Sequence, residues 1–175
     1  EGTNTVTLPM TEGKAFFRLV KGPKAIPPPP GMVAWWPGDG NALDLVGTNH
    51  GTLMGSTTFA QGMVGQAFSF DGVDGGVWIA SNASLDVGAG DALTIEAWVL
   101  PRGQTAGSYP GSGPIVEFEE AVHLWQYDAF GSGWLINVVD TLSRQHPLHA
   151  GVVTKHEWNH VATTYSTATG IVALY

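Results

Sequence analysis

The residues with the clearest chemical spacing are His156-Glu157-Trp158-Asn159-His160, which fit the pattern His-Glu-x-x-His. On a helix that pattern sets two imidazoles on one face to hold zinc, with the glutamate as general base. The helix is the condition: residues four apart lie roughly 6 Å apart on a helix but roughly 13 Å apart along a strand, too far for one ion. Val161, Thr163, Thr164 and Tyr165 follow immediately and favour a strand. The expectation is an extended segment, no zinc, and no protease.

Carboxylates offer a second possibility. In Ile115-Val116-Glu117-Phe118-Glu119-Glu120, Glu117 and Glu119 fall on one strand face roughly 7 Å apart, a separation that can serve acid and base in glycoside hydrolysis. Solvated carboxylates at a sheet rim account for the same residues. Asp39, Asn41 and Asp44 lie together in a Gly-rich loop and present the hard oxygens calcium prefers. Their spacing is not that of an EF-hand, and side-chain-capped turns are the competing explanation.

Aromatic side chains make the strongest binding signal. The chain has seven Trp and four Tyr, more than a core of this size needs. In Ala121–Tyr127, His123, Trp125 and Tyr127 project to one side and Val122 and Leu124 to the other, giving an aromatic, polar face backed by an aliphatic one. Such a row packs a core or serves as a platform for sugar rings. Glu96 and Trp98, with Asn137, extend the row if their strands share its sheet face; otherwise Trp98, like Trp158, is expected to pack inside the sandwich. Asn82-Ala83-Ser84 is a formal glycosylation sequon.

These side chains need strands to position them. Twenty-four Gly and eleven Pro against 13% charged residues suit short strands and tight turns, and 43% hydrophobic content supports one sizeable core. β-Rich runs recur at Met32–Trp36, Ala67–Phe70, Gly76–Ile79, Leu93–Leu100, Pro114–Phe118, Val122–Tyr127, Gly133–Val139, Gly151–Val153, Trp158–Tyr165 and Ile171–Tyr175. Leu93, Ile95, Ala97 and Val99 alternate with Thr94, Glu96 and Trp98, as a strand with one core face requires. Many short strands in one domain predict an all-β, antiparallel, two-sheet sandwich.

A net charge of −8 disfavours nucleic acid, since an acidic surface repels phosphates. No apolar run is long enough to cross a membrane as a helix, and membrane insertion is not expected. With no cysteine, disulfides and thiolate metal sites are excluded. Residues 1–22 read as a hairpin left from a preceding β module, residues 23–30 as a proline-rich linker, and residues 31–175 as the main domain. The last run stops at Tyr175 without a turn, so the sandwich is expected to be C-terminally truncated, with a free edge open to strand-mediated self-association.

Four stretches resemble the laminin-G-like jelly-roll family of concanavalin-A-like lectins and glucanases. Gly31-Met32-Val33-Ala34-Trp35-Trp36-Pro37-Gly38-Asp39-Gly40-Asn41, followed by Asp44, Gly47 and Asn49-His50-Gly51-Thr52-Leu53, is similar to the family's opening strand and loop. Phe59–Asp74 resembles its second signature, with Gly75 and Gly76 in place of the usual aspartate and aromatic. Leu93–Val99 and Trp158–Tyr165 complete the set in the expected order. The resemblance implies a jelly-roll sandwich, a structural calcium near Asp44, and an extracellular or cell-surface location in a bacterial multi-domain protein. The Glu-x-Asp-x-x-Glu pattern of laminarinase-type relatives is absent. The expected function is non-catalytic binding or adhesion to a glycan or surface polymer through His123, Trp125, Tyr127, Asn137 and Glu96. A structural spacer or protein-interaction domain is the alternative, with a glycoside hydrolase third.

Overall fold

The computed structural model describes residues 27–86, 90–103, 112–118, 121–127 and 133–175. The chain divides into two compact units, Glu1–Pro30 and Gly31–Tyr175. The hairpin expected over residues 1–22 lies outside the described residues.

The second unit is all-β. Its strands among the described residues are β1 Gly51–Met54, β2 Thr58–Gln61, β3 Gln66–Ser69, β4 Gly76–Ile79, β5 Ala92–Val99, β6 Gly113–Phe118, β7 Val122–Gln126, β8 Trp134–Val139, β9 Gln145–Ala150, β10 Asn159–Ser166 and β11 Ile171–Leu174. A 3-10 turn at Ala83–Leu85 interrupts them, with the Asn82 side chain accepting from Ser84 N at its start. Every pairing among these strands is antiparallel: β1 with β4, β2 with β3, a three-stranded sheet β11-β10-β5, and a four-stranded sheet β6-β7-β8-β9. None closes into a barrel.

The core follows from the two-residue period. Leu93 on β5 and Val161 on β10 meet Val122 and Leu124 on β7 and Trp134 and Ile136 on β8 in one buried cluster. The two larger sheets therefore bury their inner faces against each other in a sandwich-like arrangement, with Ile95, Ala97, Phe118, Val138, Leu148 and Val172 at its margin. Leu124 and Ile136, at 0% and 1% exposure, mark its centre. As alternation predicts, Thr94, Glu96 and Trp98 point away from it.

Four strand assignments differ from the expectation. Met32–Trp36 is not a strand: its apolar run anchors a loop, with Trp35 N donating to Asp44 Oδ1 at 3.0 Å and Trp36 Nε1 to Asn49 O at 2.7 Å. β1 and β2, too short to show a period, are not among the runs expected as strands. The strand expected at Gly151–Val153 lies earlier, at β9, because Asp140 closes a tight turn that brings Gln145 alongside Val139. Asp140 Oδ1 accepts from Leu142 N and Arg144 N, both at 2.9 Å, and its Oδ2 from Arg144 Nε at 2.8 Å. The Arg144 amide foremost, then His146 and the Arg144 guanidinium, hold this carboxyl far below the usual carboxylate range.

Candidate functional site: an aromatic cleft on the four-stranded sheet

Because Val122 and Leu124 fill the core, the side chains between them on β7 must face the other way. Pairing then decides their neighbours. His123 lies opposite Asn137 on β8, which lies opposite Pro147 on β9; Trp125 lies opposite Leu135, which lies opposite His149. Two cross-strand rows are thus laid side by side on the sheet's outer face. Together with Tyr127, just beyond β7, and Gln145, they line an open cleft of about 280 Å³.

Several contacts fix this surface. Glu117 on β6 pairs with His123, and its Oε1 accepts a hydrogen bond from Trp125 Nε1 at 2.9 Å, which sets the indole's orientation. The Tyr127 and His149 rings meet edge to face, 5.2 Å apart at 66°. Tyr127 N donates to Gly133 O at 3.0 Å, tying the end of β7 to the start of β8. A Cβ at Gly133 would run into the backbone carbonyl of Gly151, so any other residue forces the backbone there to shift.

Two buried polar atoms in the cleft have no hydrogen-bond partner in the protein: His123 Nε2 and Asn137 Oδ1. Asn137 is 5% exposed and the most buried polar residue of the cleft. Buried polar groups are nearly always paired, and leaving one unpaired costs about 1–3 kcal/mol. Both belong to residues that line the cleft together with Trp125 and Tyr127, so unspent hydrogen-bonding capacity lies just under a surface that offers flat apolar contact. Among the described residues none that lines it is Asp, Glu, Lys or Arg, and Glu117 is tied to this surface through its bond to Trp125.

Comparison with protein-family models, with curated proteins and with solved structures finds no match. The site therefore stands on its own geometry.

Of the expected ligand-binding residues, the structure brings together His123, Trp125, Tyr127 and Asn137. Glu96 does not join them. It lies on β5, in the other large sheet, on the face turned away from the shared core, and so on the opposite side of the sandwich. There Glu96 Oε2 stands 3.7 Å from His160 Nε2, and the Trp98 and His160 rings are 4.9 Å apart. Trp98 is 51% exposed, so it does not pack inside the sandwich as expected; Trp134 is the tryptophan buried there. Leu135, Gln145, Pro147 and His149 were not expected at the site. The signal for β9 was the alternation of Gln145, Pro147 and His149 with His146, Leu148 and Ala150, masked by a proline and a single large aliphatic.

The remaining motifs resolve locally. His156 sits in a turn with φ 64° and His160 on β10, so the pair does not share a helix face. Asn159 holds that turn, its Nδ2 donating to Thr154 O and Glu157 O and its Oδ1 accepting from Thr154 N. Glu119 and Glu120 lie outside the described residues, and Glu117 is engaged by Trp125.

Asp39, Asn41 and Asp44 are each turned to separate donors. Asp39 Oδ1 accepts from Gln66 N at 3.1 Å and Asn41 Oδ1 from Leu43 N at 2.9 Å. Asp44, 4% exposed, accepts from Trp35 N and Val46 N on one oxygen and from Asn49 N on the other. Burial opposes its ionisation, but the backbone amides of Trp35, Val46, Gly47 and Asn49 prevail and bring its pKa down to about 2. These oxygens accept from backbone N–H groups, whereas a calcium ion would need several oxygens turned to one point. Among the described residues no group of three or more His, Asp or Glu is placed to hold a metal.

Proposed function

We propose that residues 31–175 form a non-catalytic binding module whose ligand is a glycan or a glycan-bearing surface polymer, held in the cleft of β7, β8 and β9. The observation that carries this reading is the pair of unpartnered atoms, His123 Nε2 and Asn137 Oδ1, in residues that line one cleft with Trp125 and Tyr127. A sugar ring presents an apolar face to an aromatic plane and hydroxyls at its edge, so one ligand answers both features. The resemblance of four ordered stretches to laminin-G-like domains supports the same reading, and with it a jelly-roll connectivity and an adhesive role outside the cell for the parent protein. No helix among the described residues is long and apolar enough to cross a membrane.

A glycan array followed by isothermal titration tests the proposal. Binding to at least one carbohydrate class is expected, weakened about tenfold or more in His123→Ala and in Trp125→Ala. Absence of carbohydrate binding, or binding indifferent to both substitutions, sinks it. One observation favours a second reading, a structural or protein-contacting module: half-exposed Trp98, with His160 and Glu96, forms an outward patch on the other sheet.

A further inference from the structure

We infer that the sugar taken up at this cleft is one without carboxylate or sulfate, and that Glu117 enforces the exclusion. The inference rests on the glycan reading above and narrows it to a ligand class. Asn137 Oδ1 can only accept a hydrogen bond, so its partner must donate. His123 Nε2 donates or accepts according to tautomer, so its partner must be able to do either. A hydroxyl meets both demands. A carboxylate or sulfate oxygen can accept from His123 Nε2–H, but against Asn137 Oδ1 it would set acceptor against acceptor.

Charge acts in the same direction. Glu117 lies across from His123 and holds Trp125 by its indole N–H, so its carboxylate stands at the edge of the surface on which a ring would rest. Among the described residues that line the cleft there is no Lys or Arg to offset it. The whole chain, with 15 acidic and 7 basic residues, adds a repulsive field of the same sign. Selectivity of this kind comes from a repulsive element built beside an attractive one. The ring contact and the two unpartnered atoms attract any sugar; the carboxylate rejects the anionic ones.

The experiment measures binding of the full chain to three immobilised panels at neutral pH: neutral hexose oligosaccharides, uronic-acid oligosaccharides and sulfated oligosaccharides. Neutral sugars are expected to bind about tenfold or more tightly than the other two. Glu117→Gln keeps an acceptor for Trp125 Nε1 at an exposed position, so the fold should tolerate it, while removing the charge. It is expected to narrow the neutral-to-uronic ratio by about threefold or more. Uronic or sulfated sugars binding as well as neutral ones overturn the inference and leave the glycan reading standing. A ratio unchanged in Glu117→Gln also overturns it. Absence of binding on every panel overturns both.

Discussion

At Asp44 a buried carboxylate organises a loop that would otherwise leave several backbone N–H groups without acceptors. Its pKa of about 2, against an ordinary 3.8, means that folding favours the ionised form. The stabilisation is complete above the ordinary value and drains away as pH falls towards 2. After discounting for solvent screening it amounts to about 1–2 kcal/mol. Asp44→Asn puts an N–H₂ group where N–H donors converge, so denaturant unfolding at neutral pH should show a loss of at least this size. The gap between variant and parent should shrink near pH 2; a gap constant across that range would show that the carboxylate's charge is not what the loop uses. Trp125 separates ring from hydrogen bond in a similar way. Trp125→Phe keeps an aromatic plane but frees Glu117, so titration with a bound sugar should place its affinity between those of the parent and Trp125→Ala.

At the scale of strands, Gly133 controls how β8 meets β9. An added methyl group there would press on the Gly151 carbonyl, and Gly133 O is also the acceptor that ties down Tyr127. Gly133→Ala should therefore cost about 1–3 kcal/mol in thermal or denaturant unfolding, with sugar affinity falling alongside. Unchanged stability would mean that the two strand ends part at no cost. This level also shows what could be read in the chain. Alternation in Leu93–Val99 and in Val122–Tyr127 announced both the strands and their faces, because a period of two is a property of consecutive residues. The partners of His123 and Trp125 on β8 and β9 depend on register, which pairs residues far apart in sequence and is set by the Asp140 turn. Asn137 was legible as a candidate, whereas Pro147 and His149 were hidden by a proline that an edge strand tolerates. Met32–Trp36 misled for the opposite reason: its apolar residues anchor a loop through Asp44 and Asn49, and nothing in their local order distinguishes that from a strand.

For the molecule as a whole, the sandwich sets two aromatic surfaces back to back. Trp125 lies on the outer face of one large sheet and Trp98 on the outer face of the other, with Leu124, Ile136 and Val161 between them. Both tryptophans are partly exposed and each has a histidine nearby, so composition alone treats them as equals. Geometry does not. Trp125 borders a cleft with two unpartnered polar atoms, whereas in the Trp98 patch the His160–Glu96 contact at 3.7 Å is already made within the protein. Mutations on opposite faces of a packed core with no shared partner act independently, so Trp98→Ala should leave sugar affinity within about twofold while Trp125→Ala reduces it about tenfold. Each variant should unfold cooperatively, since neither ring belongs to the central cluster. If Trp98→Ala abolishes sugar binding and Trp125→Ala spares it, the ligand sits on the three-stranded sheet, and the unpartnered atoms of His123 and Asn137 have some other purpose.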